Sequence, residues 1–242
     1  MAAGNPAAEI IRVAERDGCD LVGISTHGRR GLERAFLGSV TDKVIHASHL
    51  PTLTIAPERA RDYWRKSMKM SKSLVPLDGS PLSETVTPYV EDLARRLSLE
   101  IELVRVTRGG ISTPYSAALL QSEGVNLDEE IEEESREYLE GIAERMKSLD
   151  VRRTVLKGRS AFTIVDRARE TPQDVIVLTS RGRSGLARWA VGSVAEAVIR
   201  FSGDPILVIP SPNPVPSPRP CSCLSLPVYC RRPSWRGQGC VG

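Results

Sequence analysis

A shift of 154 positions, without a gap, lays DLVGISTHGRRGLERAFLGSVTDKVIHASHLPTLTI (Asp20 to Ile55) over DVIVLTSRGRSGLARWAVGSVAEAVIRFSGDPILVI (Asp174 to Ile209). The matched pairs include Gly28 with Gly182, Gly31 with Gly185, Gly38 with Gly192, Ser39 with Ser193 and Pro51 with Pro205. Two copies are a duplication and not a solenoid, which needs at least about three stacked units. The chain therefore holds one structural unit written twice, and whatever fold the longer copy adopts, the shorter must adopt in part.

The longer copy alternates short β-rich runs with amphipathic stretches. Ser73 to Asp78, Ile101 to Val106, Val151 to Leu156, Asp174 to Thr179 and Pro205 to Pro210 read as strands. Between them, helices are expected over Leu82 to Leu97, Leu127 to Leu149, Ser160 to Arg169 with Ser160 as its cap, and Ser193 to Phe201. Strands joined by crossover helices imply an α/β fold: an open five-stranded parallel sheet with helices on both faces. The first copy begins late and supplies only the last β-α-β portion, so it leaves apolar surface that must pack on the full unit or on another chain. The expected organisation is a partial domain at 1–58, a linker at 59–71, a complete domain at 72–211 and a disordered tail at 212–242. That tail is rich in proline, arginine and cysteine. Its Cys221, Cys223, Cys230 and Cys240 follow no zinc spacing, and Cys19 stands alone in the body, which suits a reducing cytoplasm.

Charge narrows the function. The formal net charge is +3, but the tail holds Arg219, Arg231, Arg232 and Arg236 and no acid; subtracting those four leaves the body at −1. A near-neutral body lacks the basic footprint of a nucleic-acid binder. No apolar run approaches the roughly 20 residues of a membrane span, and the first residues lack the pattern of a signal peptide. No nucleic-acid or membrane role is expected, and a cytoplasmic location is.

Two places carry candidate chemistry. Thr179 to Ile199 follows a buried strand and opens a helix, where unpaired N–H groups and the positive dipole end favour phosphate. Gly182 lets the backbone turn close to an oxygen, and Gly192, Ser193 and Val194 would offer N–H groups and one hydroxyl. Equally, Ser193 with Glu196 reads as a capping box, and Gly182 with Gly185 as a plain turn. The pattern is neither a Walker loop nor the dinucleotide fingerprint. Asp78 ends the first strand, where its carboxylate would accept from an adenine amino group or a ribose hydroxyl; an Asx-turn or a cap before Pro81 would use it as well. The two places meet only if the first and fourth strands are neighbours, the switch point of a 3-2-1-4-5 sheet.

LVPLDGS near a domain start, then DVIVLTSRGRSGLARWAVGSVAEAVI and a closing DPILVIP, resemble a universal stress protein domain over nearly all of 72–210. Residues 1–57 resemble the latter part of a second one. The resemblance implies an adenine nucleotide α-hydrolase-like sheet and ATP, with or without magnesium, as ligand. It would place Asp78 and the Val106 backbone on the adenosine. Pro76, Leu77 and Leu178 would line the pocket, and Gly182, Gly192, Ser193 and Val194 would hold phosphates. Of the family's Gly-x2-Gly-x9-Gly-Ser/Thr pattern, Gly182, Gly192 and Ser193 match, whereas Ser25 replaces the first glycine in the partial copy and Thr179 replaces it in the full one, where, as a small hydroxyl residue that can still pack and donate, it is kept among the nucleotide-binding residues. The resemblance also implies a regulator, at most weakly hydrolytic, and pairing through the last strand, either in a homodimer or with TLTIAP of the first copy. Two rivals remain: a stress protein that holds partners without nucleotide, and an ATP-splitting enzyme, which would resemble Ser-Gly-Gly-x-Asp-Ser where this chain has Asp78-Gly79-Ser80. The full domain holds neither histidine nor cysteine, which excludes a histidine base or cysteine nucleophile there. His27, His46 and His49 form no metal pattern, Arg181 and Arg183 flank the glycine turn, and Asp128 to Glu134 suit a helix start.

Overall fold

Val175–Thr179 and Ile206–Ile209 are buried at every residue, so each must be covered on both faces. The computed structural model, which describes residues 5–26, 37–57, 60, 70–108, 127–171, 174–181 and 191–211, shows how this is done. The elements are α1 (Pro6–Arg16), β1 (Val22–Ser25), α2 (Ser39–Ala47), β2 (Thr52–Ile55), β3 (Lys72–Pro76), α3 (Pro81–Glu84), α4 (Thr87–Leu97), β4 (Glu100–Thr107), α5 (Leu127–Arg145), β5 (Val151–Lys157), α6 (Ser160–Glu170), β6 (Val175–Thr179), α7 (Ser193–Phe201) and β7 (Ile206–Ile209). The tail at 212–242, most of the linker and the glycine-bearing loops of both copies lie outside the described residues.

The strands form one sheet in the order β1-β2-β7-β6-β3-β4-β5. Within the complete unit this is the 3-2-1-4-5 arrangement, all parallel. The partial copy adds two strands to the expected five, making a seven-stranded sheet. β2 lies antiparallel against β7, and β1 lies parallel to β2. The register pairs Thr52 with Val208, Leu53 with Leu207 and Thr54 with Ile206. Under the 154-residue offset Leu53 and Leu207 are counterparts, so a local two-fold axis passes between a residue and its own repeat. The contact covers an apolar strand that would otherwise be an open edge.

Alternation sorts the side chains onto two faces. Val75, Leu77, Ile101, Leu103, Val175 and Val177 pack with Val90 and Leu93 of α4 and Leu139 and Ile142 of α5. Leu74, Val104, Ile176, Leu178, Ile206 and Val208 pack with Ile164 and Val165 of α6, Val198 and Ile199 of α7, and Ile45 of α2. Burying side chains such as Leu74 and Ile101, both fully enclosed, contributes about 2 kcal/mol each. A third cluster, Ala7, Ala14, Val22 and Val44, seats α1 and α2 on one face of β1.

Two helix expectations change. The helix expected over Leu82 to Leu97 is two helices, because the Thr85 hydroxyl donates to the Leu82 carbonyl and the Thr87 hydroxyl to that of Glu84, at 2.7 and 2.8 Å. Ser160 is the first helical residue and not the cap: Arg159 holds that position with an extended backbone.

Candidate functional site

β3 ends between β6 and β4, at the carboxyl edge where an open parallel sheet accepts ligands. The chain then turns through Gly79, whose φ of 83° is strained for any residue with a Cβ. Asp78 is half-buried. Its Oδ1 accepts from the Ser80 N–H at 2.9 Å and the Ser80 hydroxyl at 2.6 Å, an Asx-turn. Ser80 in turn caps α3, its Oγ accepting from the Ser83 N–H at 3.2 Å, while the Ser83 hydroxyl accepts from the Asp78 N–H at 3.3 Å. The turn reading of Asp78 is thus realised, and any ligand would share this carboxylate with Ser80. Ser80 and Ser83 were not singled out from sequence, although Ser80 before Pro81 is a helix-start signal.

Val106 stands level with Asp78. Pro76 is in register with Val104, and the Leu77 N–H donates to the Val104 carbonyl at 2.8 Å, the last bond joining these strands. The Gly158 N–H donates to the Thr107 carbonyl, so odd residues of β4 turn their backbone to β5 and even ones to β3. The backbone of Val106 therefore faces the Asp78 side. By alternation Pro76, Asp78, Val106 and Leu178 share the α6 and α7 face, and Val106 and Leu178 belong to its cluster. Leu77 does not join them. It is fully buried in the opposite cluster, with Val86 and Val90, so it and Leu178 do not wall one pocket.

The second half of the site is held by a hydrogen bond that both copies make. Ser180, just past β6, donates its N–H to the Ile209 carbonyl at 2.8 Å, and its own carbonyl accepts from the Gly192 N–H at 2.7 Å. In the partial copy Thr26 and Gly38 stand in the same relation to Ile55, at 3.0 and 2.8 Å. The start of α7 is thereby pinned to the end of β6, the strand beside β3. A Cβ on Gly38 would come within 3.1 Å of the Thr26 carbonyl oxygen, so this close approach explains the glycine. It also removes one expected donor, since the Gly192 N–H is spent on the protein's own chain. The signal for Ser180 was in the repeat: both copies carry a hydroxyl residue there.

Gly192 is the N-cap of α7, extended at φ −64° and ψ 146°, and no side chain caps the helix. Ser193 is the first helical residue and is exposed, as is Val194. The expected Ser193–Glu196 capping box does not form. Glu196 instead accepts from Arg200, one turn on, at 2.7 and 3.1 Å. α2 likewise begins at Gly38 without a side-chain cap.

Thr179 is buried, and its hydroxyl donates to the Arg181 carbonyl at 2.6 Å, bracing the first residues of the loop. Gly182 and Arg183 lie outside the described residues, as do Gly28 and His27. Beneath α3, burial and then the Glu84 carboxylate push the Tyr138 phenol up to about 12, and the Arg105 guanidinium lies 4.8 Å from its ring centre. Tyr138 is therefore a neutral packing group near neutral pH. His46 faces the Asp42 carbonyl at 2.7 Å, and among the described residues no group of three metal-ligating side chains occurs. Among them, too, no helix is long and apolar enough to cross a membrane.

The chain is 28% identical over 192 residues to a universal stress protein of Mycobacterium tuberculosis, which covers 78% of this chain and 61% of the relative. It thus spans about three fifths of the length of that relative. It is 29% identical over 145 residues to universal stress protein YxiE of Bacillus subtilis, covering 57% of this chain and 98% of the other. Among solved structures, a universal stress protein from Archaeoglobus fulgidus superposes with a TM-score of 0.61 at 20% identity, over 88% of this chain and 69% of that one. A protein of unknown function from Pseudomonas aeruginosa superposes with a TM-score of 0.65 at 18% identity, over 87% and 69%. The sequence profile of the universal stress protein family matches residues 1–56 and 70–210, in agreement with the duplicated sheet, and the chain belongs to that family.

Proposed function

We propose that the chain is a cytoplasmic regulator of the stress response that binds one adenine nucleotide, ATP with magnesium, and acts through pairing or partner contacts and not through turnover. The observation that carries this reading is the adjacency of β3 and β6, which sets Asp78 and the uncapped start of α7 at one carboxyl edge. Asp78 and the Val106 backbone suit the adenosine, with Pro76 and Leu178 beside them. The Ser193 hydroxyl and the N–H groups of Ser193 and Val194, at the positive end of α7, suit phosphate oxygens. Gly192 serves by shape: it lets α7 start tight against Ser180. Bound nucleotide would supply negative charge to that helix end and bridge it to β3.

A second reading, a stress protein that holds partners without nucleotide, draws on two other facts. The Thr179 hydroxyl and the Gly192 N–H are already satisfied within the chain. Calorimetry of the full chain with ATP and magnesium separates the two. The nucleotide reading expects one site whose affinity drops at least tenfold in Asp78→Ala, the loss of a charge-assisted hydrogen bond of about 1.5–3 kcal/mol. No heat from either protein would establish the second reading instead.

A further inference from the structure

β2 covers the edge of β7, so a second copy of the chain has to meet this one on another surface. The outer side of the α6 and α7 layer offers one. Ile164, Val165 and Ala168 of α6 and Ala195, Val198 and Ile199 of α7 turn inward to the sheet. On the opposite side of α6, Arg159, Phe162, Asp166 and Arg169 recur at intervals of three and four residues, and all four are exposed. Phe162, 52% exposed, stacks on Phe201 of α7, 42% exposed, with ring centres 6.5 Å apart and planes at 25°. Among the described residues no other aromatic ring is exposed. The Arg159 guanidinium lies 5.3 Å from the Phe162 ring centre and has no carboxylate partner among the described residues. Arg169 donates to the Phe201 carbonyl at 3.1 Å, which ties the end of α7 to α6. Its link to Asp166 is long, at 3.6 Å, and both side chains are exposed.

We propose that this face is a self-association surface, on which α6 of a second copy lies antiparallel to α6 of the first. The order of charges points to that occupant. The stripe is basic at its start, in Arg159, and acidic toward its end, in Asp166 and Glu170, while Arg169 between them is engaged with Phe201. A partner of one charge sign would meet a like charge at one end of the stripe, whereas a reversed copy meets the opposite charge at both. A two-fold axis between Phe162 and Thr163 sets residues equally far on either side against each other. Arg159, one turn before the axis, then faces Asp166 of the partner subunit, one turn after it. The Phe162 rings meet at the axis with the Phe201 rings beside them. The area suits a dimer: at about 200 Å² per aromatic side chain, the exposed parts of four rings supply roughly 400 Å², about a quarter of what a standard interface buries. An apolar centre within a charged rim is how such contacts are built. This inference extends the pairing part of the proposed function and rests on no nucleotide, so its failure would leave the nucleotide reading untouched.

Sedimentation velocity of the full 242-residue chain, in reductant and without nucleotide, tests this. The parent should form a reversible dimer as its concentration rises. Phe162→Ser should weaken the dimer at least tenfold, as the loss of a central aromatic anchor does. Arg159→Glu and Asp166→Arg should each weaken it at least fivefold, since two-fold symmetry counts every reversal twice. Mixing those two charge variants should restore a dimer to within about twofold of the parent, because each supplies the charge that the other lacks. Restoration on mixing would also show that both variants are folded. A parent that stays monomeric overturns the proposal and leaves the face to a different protein. A dimer indifferent to Phe162→Ser, or a mixture no better than its components, overturns it by assigning the contact to another surface.

Discussion

Thr179 stands where the family's nucleotide-binding pattern has glycine, and its hydroxyl is committed to the Arg181 carbonyl. That bond braces the first residues of the loop. Thr179→Val keeps the volume and removes the bond, so thermal unfolding should show a loss of about 1–2 kcal/mol while affinity for ATP stays within twofold. A tenfold fall in affinity would mean that the hydroxyl touches the nucleotide. Residue identity made the location of Asp78 legible, because a carboxylate at the end of a first strand has few uses. It did not show which groups would be consumed locally. Gly192 was expected to offer its N–H outward, yet spends it on Ser180, since sequence alone does not tell a donor aimed at a ligand from one aimed at the chain. The S-x-x-E signal at Ser193 misled for a related reason: Gly192 takes the extended cap position, Ser193 enters the first turn, and Glu196 turns to Arg200.

Among the elements, β4, β5 and α6 are joined by a buried polar cluster that the alternating pattern hides. Glu102 is 7% exposed, and its Oε1 accepts from Arg167 at 2.6 and 2.9 Å and from the Thr154 hydroxyl at 2.8 Å. Removing one partner leaves an uncompensated buried charge, so Arg167→Met should cost about 3 kcal/mol in chemical denaturation. Adding Glu102→Leu to it should recover a large part of that loss. A single variant as stable as the parent, or a double variant weaker than the single, would show that the pair is not what secures α6. Strand and helix order was readable because the apolar runs are short and regularly separated. The break between α3 and α4 was not, because Val86, Val90 and Leu93 continue one buried face across it and only the hydroxyl bonds of Thr85 and Thr87 end the first helix.

On the scale of the whole molecule, the duplication does more than lengthen the chain. Leu53 opposite Leu207 places a local two-fold axis inside a single polypeptide, so the partial copy covers the edge that β7 would otherwise present. That relation is latent in the 154-residue offset, but the continuous seven-stranded sheet is not, since an offset carries no direction of pairing. The asymmetry of the two copies then bears on function. Both pin a helix start to a strand end, and in the complete copy the strand beside it carries Asp78 at its end. On the proposed reading, nucleotide is expected at the complete copy, beside Asp78. Native mass spectrometry of the full chain, purified without added nucleotide and then incubated with ATP and magnesium, measures this directly. The predicted result is a single added adenine nucleotide per chain, released on heating; a chain that stays bare would contradict it.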